Sequence, residues 1–180
     1  DWMSELAECY AAVKAASPAT LVFTAYQYEK MKGLGVNAGW SFAEHTHLIT
    51  DLLPGVHADA LGLTSYPYLE FAQPADIPAD YYAAAAGWGG QVIFTEIGWL
   101  AAPAPPITGS EAAQAAFIRT FFDRTRDLDL EYVSWLFLHD WDQQATFPAF
   151  VNIGLRNNDG SLIRQADETW RAAVAMRERR

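Results

Sequence analysis

The sequence predicts an α/β fold organised around a parallel β-sheet. Short β-rich apolar runs alternate with helix-length segments through the 180 residues, and this alternation is typical of parallel sheets with helical crossovers. One run, residues 92–94, follows two glycines and stops at Thr95-Glu96, as expected of a strand that is buried on both faces. Because ligands bind beyond the carboxyl ends of parallel strands, Glu96 is expected to face a ligand crevice.

The composition is that of a folded protein with one sizeable core. Hydrophobic residues make up 51% and charged residues 19% of the chain, which argues against disorder. The net charge of −10 argues against nucleic acid and against an anionic membrane as partners, since both need a basic surface. Seven Trp and eight Tyr are an aromatic supply suited to stacking on sugar rings. No run approaches the ~20 apolar residues of a membrane span.

Cys9 is the single cysteine of the chain. It therefore forms no intrachain disulfide and belongs to no cysteine-rich metal site. We expect it to be a small buried residue on a helix.

The first part of the chain predicts a helix, a strand, a loop and a second helix. Residues 2–16 are predicted helical because apolar residues recur at three- and four-residue spacing before Ser17-Pro18. These apolar residues are Trp2, Leu6, Cys9, Tyr10 and Val13. The elements that follow are a strand over 21–26, a glycine-containing loop over 30–39, and a helix from the capping box Ser41-x-x-Glu44 to residue 53.

Three further strand–helix units follow. The predicted strands cover 58–64, 91–95 and 131–138, and the predicted helices cover 78–87, a segment opened by Thr108-x-x-Glu111, and 165–176. In the middle helix the apolar stripe consists of Ala113, Phe117, Thr120 and Phe121. A turn is predicted at 157–160, and the last strand leads into His139-Asp140-Trp141-Asp142.

Glu96 has two interpretations at this stage. A carboxylate at a strand end is costly unless it is paired, hydrogen-bonded or used in chemistry. A salt-bridged glutamate on the rim of the sheet and a functional group in a crevice both satisfy that requirement.

The segment Thr95-Glu96-Ile97-Gly98-Trp99 resembles the nucleophile segment of the retaining (β/α)8-barrel glycoside hydrolases, the clan whose two catalytic glutamates end strands four and seven. In its endo-β-1,3-glucanase and endo-β-1,4-galactanase branches the segment commonly reads Glu-Thr-Gly-Trp-Pro, whereas this chain has Ile97 and Leu100 in place of the Thr and Pro. The stretch 154–170, with its Gly-Leu, Asp-Gly turn and Trp-containing helix, is similar to the end of such barrels.

This resemblance implies a TIM barrel of which residues 1–180 supply one domain, about the last four strand–helix units. A complete barrel needs about 250 residues, so the N-terminal half is expected to be absent from the chain. Glu96 would be the nucleophile of a retaining mechanism, in which two carboxyl groups lie about 5–5.5 Å apart. The clan's acid/base residue follows an Asn, and no Asn-Glu pair occurs here. The resemblance implies hydrolysis of β-linked polysaccharides or oligosaccharides, no cofactor and an extracytoplasmic or secreted location.

Six further residues are candidates for substrate binding. Tyr66 follows a strand, where relatives carry a group that hydrogen-bonds the nucleophile, and packing beneath the proline loop is its other interpretation. Trp135 or Trp141 corresponds to the sugar platform on strand eight, although core packing is the alternative for Trp135. Gln27 is polar at a strand end. His139 could hydrogen-bond a sugar hydroxyl or be a structural histidine, and Trp99 could touch substrate or pack beneath the loop. The full set is Gln27, Tyr66, Trp99, Trp135, His139 and Trp141.

Alternatives remain open from the sequence. Glu29 and Asp140 lie past strands and could reach the barrel mouth, but neither matches the motif of the acid/base residue. A catalytically silent barrel that binds carbohydrate or protein is a second class of function, because one fold hosts many activities. The sheet of a half barrel has two open edges, which predicts pairing with the absent half or with a second copy of the chain.

Overall fold

The computed structural model describes residues 2–32, 36–37, 40–41, 55–141 and 148–177. Four of its strands form one parallel sheet, in the order β1, β4, β5, β6. These strands are β1 (Phe23–Gln27), β4 (Ala60–Ser65), β5 (Val92–Ile97) and β6 (Leu130–Trp135). Two short strands, β2 (Val36–Asn37) and β3 (Trp40–Ser41), lie between β1 and β4 in the sequence and pair antiparallel with each other. The α/β class and the parallel sheet predicted from the alternation are confirmed.

Helices precede, connect and follow the strands of the parallel sheet. They are α1 (Trp2–Ala16), α2 (Tyr28–Met31), α3 (Ala83–Ala86), α4 (Glu111–Arg124) and α5 (Gln165–Arg177), and 3-10 turns cover Pro67–Leu69, Pro74–Asp76 and Pro148–Phe150. In the part of the chain that is described, no helix combines the length and apolar character needed to cross a lipid bilayer.

Strands β4 and β5 form the centre of the sheet and are mostly buried. Phe94 of β5 is fully buried, and its ring centroid lies 4.9 Å from that of Phe121 on α4 and 5.3 Å from that of Tyr82. Burial of such a ring contributes roughly 2–3 kcal/mol. Gly62 allows β1 and β4 to approach, since a Cβ there would lie 2.7 Å from the Thr24 carbonyl oxygen. The glycine-bounded apolar run is therefore the core strand of the domain.

Helix α1 has the predicted bounds, but its packing differs from the prediction. The Tyr10 hydroxyl donates to Asp59 Oδ1 at 2.9 Å, and the Lys14 ammonium lies 2.8 Å from Asp59 Oδ2. No residue of α1 is buried against the described part of the chain, and Cys9 is exposed. The expectation of a buried Cys9 is wrong, because α1 contacts the sheet and the residues before β4 through Trp2, Tyr10 and Lys14 and leaves Cys9 exposed.

Several predicted boundaries are also corrected. The cap of α4 is Ser110, whose Oγ accepts from the Ala113 N–H at 3.1 Å, while the Thr108 hydroxyl donates to the Ala72 carbonyl oxygen. The predicted helix over 78–87 shrinks to α3, because the preceding turns bury Tyr81 and Tyr82 in the core. The predicted loop over 30–39 contains the end of α2 and strand β2. The predicted helix up to residue 53 lies almost wholly outside the described residues.

Candidate active site

Glu96 reaches its position through a β-bulge in β5. Leu63 of β4 pairs with Phe94, but the next residue, Thr64, pairs with Glu96, so that Thr95 is an extra residue in the ladder. In a regular strand Phe94 and Glu96 would point to the same face, which is the face packed on the helices. The bulge breaks this alternation and re-aims the side chain of Glu96. The Thr95 hydroxyl donates to the Leu63 carbonyl oxygen at 3.2 Å and supports the bulge.

The hydroxyl of Tyr66 donates to Glu96 Oε2 at 2.5 Å. Tyr66 follows the end of β4, so the two side chains meet at the carboxyl edge of the sheet. The Tyr66 ring is buried between Tyr68, at a centroid distance of 5.8 Å, and Phe150, at 5.1 Å. Burial, followed by the hydrogen bond to the Glu96 carboxylate, raises the pKa of Tyr66 well above its usual value. The phenol therefore stays protonated and remains a donor to Glu96.

A second carboxylate lies beneath this pair. Glu29 of α2 is fully buried, and its Oε1 accepts from the Tyr66 backbone N–H at 2.8 Å and from the Ser65 hydroxyl at 2.7 Å. The hydrogen of Ser65 is used in that bond, so the Tyr82 hydroxyl, 2.9 Å away, donates to Ser65 Oγ. Burial raises the pKa of Glu29 to about 7 despite these hydrogen bonds. Because Glu29 has no exposed surface, it does not reach the barrel mouth as sequence reasoning allowed.

The loops that follow β5 and β6 are tied together behind Glu96. The amide nitrogen of Gln114 on α4 lies 2.9 Å from the Trp99 carbonyl oxygen and 3.1 Å from that of Ile153. Gly98 leaves room for the Ile153 side chain, since a Cβ at residue 98 would lie 2.2 Å from Ile153 Cδ1. The fixed packing of these loops holds the turn after Glu96 in place.

Two tryptophans proposed as substrate contacts lie in the core. Trp99 is fully buried, and its ring centroid lies 5.3 Å from that of Phe117. Trp135 packs against Phe117 and Trp170, which belong to helices, and its indole N–H donates to the Ile153 carbonyl oxygen at 2.7 Å. Core packing, the alternative that the sequence leaves open for Trp135, is what the structure shows for both rings, although Trp135 also lines a cleft beside β6.

The segment after β6 places the remaining aromatic and polar candidates near the surface. Strand β6 ends at Trp135, three residues before the predicted end of the strand at residue 138. Trp141 is partly exposed and lies 6.0 Å from Phe137 between ring centroids. It lines a cleft of about 390 Å³ whose other walls are Asp140, Val151, Asn152, Asn157, Asn158 and Asp159. His139 is exposed, and Gln27 is half-buried at the end of β1.

Asp140 is committed to an ion pair. Its Oδ1 and Oδ2 accept from Arg164 Nη1 and Nη2 at 2.7 and 2.5 Å, and Arg164 is 7% exposed. The Gly154 N–H also donates to Asp140 Oδ1 at 3.0 Å. This carboxylate supports the segment after β6 and is not free to act on a ligand.

No described protein family matches the sequence, and no curated protein matches it. Solved structures do match the fold. The exo-β-1,4-mannosidase Op5Man5 from Opitutaceae bacterium strain TAV5 aligns with a TM-score of 0.64 at 15% identity, over 98% of this chain and 33% of its own. The GH5_18 protein from Streptomyces cattleya, solved with Manβ1-4GlcNAc, aligns with a TM-score of 0.63 at 20% identity, over 99% and 42%. Xylanase 10B from Thermotoga maritima gives 0.60 at 15% identity, over 96% and 52%.

These similarities establish the fold. The four-stranded parallel sheet and its helices match part of the (β/α)8 barrels of glycoside hydrolases. This chain spans between about a third and a half of the length of those three proteins. The predicted fold class is therefore confirmed at the level of a barrel segment.

Proposed function

We propose that this chain is the nucleophile-bearing part of a retaining glycoside hydrolase that acts on β-linked oligosaccharides or polysaccharides. The observation that carries the proposal is the Tyr66–Glu96 hydrogen bond at the carboxyl end of β5. A partly buried glutamate with one oxygen held by a phenol has the orientation that a nucleophile needs. The fold shared with an exo-β-1,4-mannosidase and a xylanase supports the same class.

In the proposed reaction Glu96 attacks the anomeric carbon while the bond from that carbon to the leaving oxygen breaks. The hydrogen bond from Tyr66 occupies Oε2, which leaves Oε1 to form the ester. A carboxylic acid gives its proton to the leaving oxygen, and the resulting carboxylate takes a proton from the water that cleaves the ester. Glu96 is released as a carboxylate, and the sugar keeps its β configuration.

The acid/base carboxyl is proposed to come from outside these residues. Glu29 is fully buried, and Asp140 is paired with Arg164, so neither carboxylate is available to protonate the leaving oxygen. A second glutamate on a strand across the barrel mouth would supply the proton at the required distance of about 5–5.5 Å.

The open edges of the sheet support completion of the barrel by further polypeptide. In the described structure β1 and β6 are the edge strands, and Tyr132 on β6 is 56% exposed. A cleft of about 520 Å³ runs between β6 and α5. We propose that an N-terminal half barrel occupies these edges, and an extracytoplasmic location follows if the substrate is a large polysaccharide. A dimer of this chain in sizing experiments would instead assign the edges to a second copy.

The function is tested with 2,4-dinitrophenyl β-glycosides of several sugars. Dinitrophenolate leaves without a proton, so the first step needs the nucleophile but no acid. We expect a burst of one equivalent of dinitrophenol per chain, followed by slow turnover because no general base activates water.

Glu96→Gln should abolish the burst, whereas the exposed control Glu131→Gln should retain it. Absence of a burst from this chain and from the longest polypeptide that its gene encodes would overturn the enzymatic proposal. Carbohydrate binding without a burst would then favour a catalytically silent barrel.

A further inference from the structure

Glu29 is the buried ionisable group that the proposed reaction leaves unused. It is fully buried, and in the described part of the chain its Oε2 has no hydrogen-bond partner. A half-satisfied carboxyl in a core is costly. A smaller or neutral side chain would fill the same space in the core, so the contacts of Glu29 indicate a role beyond packing.

The satisfied oxygen of Glu29 acts on the residue that holds Glu96. Its Oε1 accepts from the Ser65 hydroxyl and from the Tyr66 backbone N–H. Tyr66 then donates from its hydroxyl to Glu96 Oε2. Glu29 Oε1 lies 2.7 Å from Ser65 Oγ and 2.8 Å from the Tyr66 nitrogen, and the Tyr66 hydroxyl lies 2.5 Å from Glu96 Oε2. These contacts connect α2, the end of β4 and the bulge of β5.

We propose that Glu29 is a positioning residue for Glu96: by holding the backbone of Tyr66 through Oε1, it fixes the orientation in which the Tyr66 hydroxyl donates its hydrogen bond to Glu96. The catalytic meaning of this role rests on the proposed function, whereas the coupling between the two carboxylates does not. Hydrogen bonds to a charged acceptor are about twice as strong as those to a neutral one. Loss of the Glu29 charge therefore loosens the anchor of Tyr66.

Titration of Glu29 gives a way to observe this coupling, since burial raises its pKa to about 7. The Lys32 ammonium lies 4.2 Å from the Tyr81 ring centroid, and the charge of Glu70 raises the pKa of Glu29 further. The Tyr81 hydroxyl also lies 3.4 Å from Glu29 Oε1. The titratable groups that surround Glu29 are Tyr28 and Lys32 on its own segment, Tyr66, Tyr68 and Glu70 after β4, and Tyr81 and Tyr82 before α3. The charge of Asp80 acts on Tyr28 and Lys32.

The test follows the side-chain carboxyl carbons of ¹³C-labelled glutamate by NMR between pH 5 and pH 9. The Glu96 signal is assigned by its loss in Glu96→Gln. In the unchanged chain we expect the chemical shift of the Glu96 signal to show an inflection at the midpoint of the titration of Glu29, near pH 7. This inflection should disappear in Glu29→Gln, which keeps the acceptor oxygen and the volume but cannot ionise.

Two further variants separate positioning from a direct effect of charge. In Tyr66→Phe the inflection should also disappear, because the coupling passes through the phenol hydroxyl. In the control Glu70→Gln, which removes a neighbouring carboxylate that accepts from the Tyr81 hydroxyl, the inflection should remain at a lower pH. Persistence of the inflection in Tyr66→Phe, or its absence from the unchanged chain, would overturn the proposal.

A kinetic arm distinguishes this proposal from the proposed function. If the burst with dinitrophenyl glycosides occurs, Glu29→Gln should slow it about fivefold above pH 7 and remove its pH dependence near pH 7. An unchanged burst rate and pH profile would contradict the positioning role. If no burst occurs in the unchanged chain, the proposed function fails, and the NMR titration still decides the coupling.

Discussion

The hydroxyl oxygen of Tyr66 lies 2.5 Å from Oε2 of Glu96, across the junction of β4 and β5. The two residues are 30 positions apart in the chain and come together because parallel strands end at the same edge of the sheet. Removing the hydroxyl tests what this contact contributes. Tyr66→Phe should slow the dinitrophenol burst about 100- to 1,000-fold, the range for loss of one preorganised donor, as measured by stopped-flow absorbance.

Tyr68→Phe is the matched control for that substitution. The Tyr68 hydroxyl donates to the Ala149 carbonyl oxygen at 2.9 Å, and both Tyr68 and Tyr66 are buried residues. Both variants should lose about 1 kcal/mol of unfolding free energy for the lost hydrogen bond, but only Tyr66→Phe should lose burst rate. Equal burst rates would separate Tyr66 from the reaction.

Glu29 should make stability depend on pH. Its pKa in the folded chain is raised from 4.5 to about 7, so the folded state binds the proton more tightly than the unfolded state. The contribution to stability is complete below pH 4.5 and is lost as the pH rises to about 7. At about 1.4 kcal/mol per unit, the loss is roughly 3 kcal/mol.

Glu29→Gln should remove this part of the pH dependence in urea unfolding followed between pH 5 and pH 8. The exposed control Glu131→Gln should keep the profile of the unchanged chain. Parallel profiles for the unchanged chain and Glu29→Gln would contradict the raised pKa.

The ion pair of Asp140 and Arg164 should contribute strongly to the stability of the segment after β6. Arg164→Met leaves a carboxylate that is largely buried without its partner, and we expect a loss of about 3–5 kcal/mol of unfolding free energy. The control is Arg126→Met, because the Arg126–Asp123 pair is exposed on both sides and should contribute less than about 1 kcal/mol. Similar losses in urea unfolding for the two variants would disagree with this assignment.

The tryptophans should separate into a core group and a surface residue. Trp99→Ala should cost about 3–5 kcal/mol of stability because the ring is fully buried. Trp141→Ala should change stability little and raise the glycoside concentration at half-saturation about tenfold, as expected when a stacking contact of about 1–1.5 kcal/mol is lost. Unchanged glycoside saturation in Trp141→Ala would remove Trp141 from the substrate site.

The elements that patterning predicts well are those whose local signals agree with their packing. Helix α1 has the predicted bounds, and the apolar run at 92–94 is the core of β5. The cap of α4 lies at Ser110, two residues after the predicted Thr108, because both residue types can cap a helix and only the packing of the preceding loop chooses between them.

The site depends on tertiary features that patterning does not detect. The bulge at Thr95 arises from pairing with β4 and has no local signature in the sequence. The sequence leaves both a sugar platform and core packing open for Trp135, because a strand pattern does not show whether a face meets helices or the barrel interior; in the structure its ring packs on Phe117 and Trp170. The contact between Glu29 and Tyr66 joins residues 37 positions apart, and a buried glutamate has no sequence signal that separates it from an exposed one.

The nucleophilic role of Glu96 is tested most directly by covalent trapping. The chain is incubated with 2,4-dinitrophenyl 2-deoxy-2-fluoro-β-glycosides, and intact mass and peptide mass spectrometry then locate any adduct. A mass increase of one fluorosugar, mapped to the peptide that contains Glu96 and absent from Glu96→Gln, is the expected result. An adduct on another carboxylate, or none on this chain or on the longest polypeptide that its gene encodes, would contradict the assignment of Glu96.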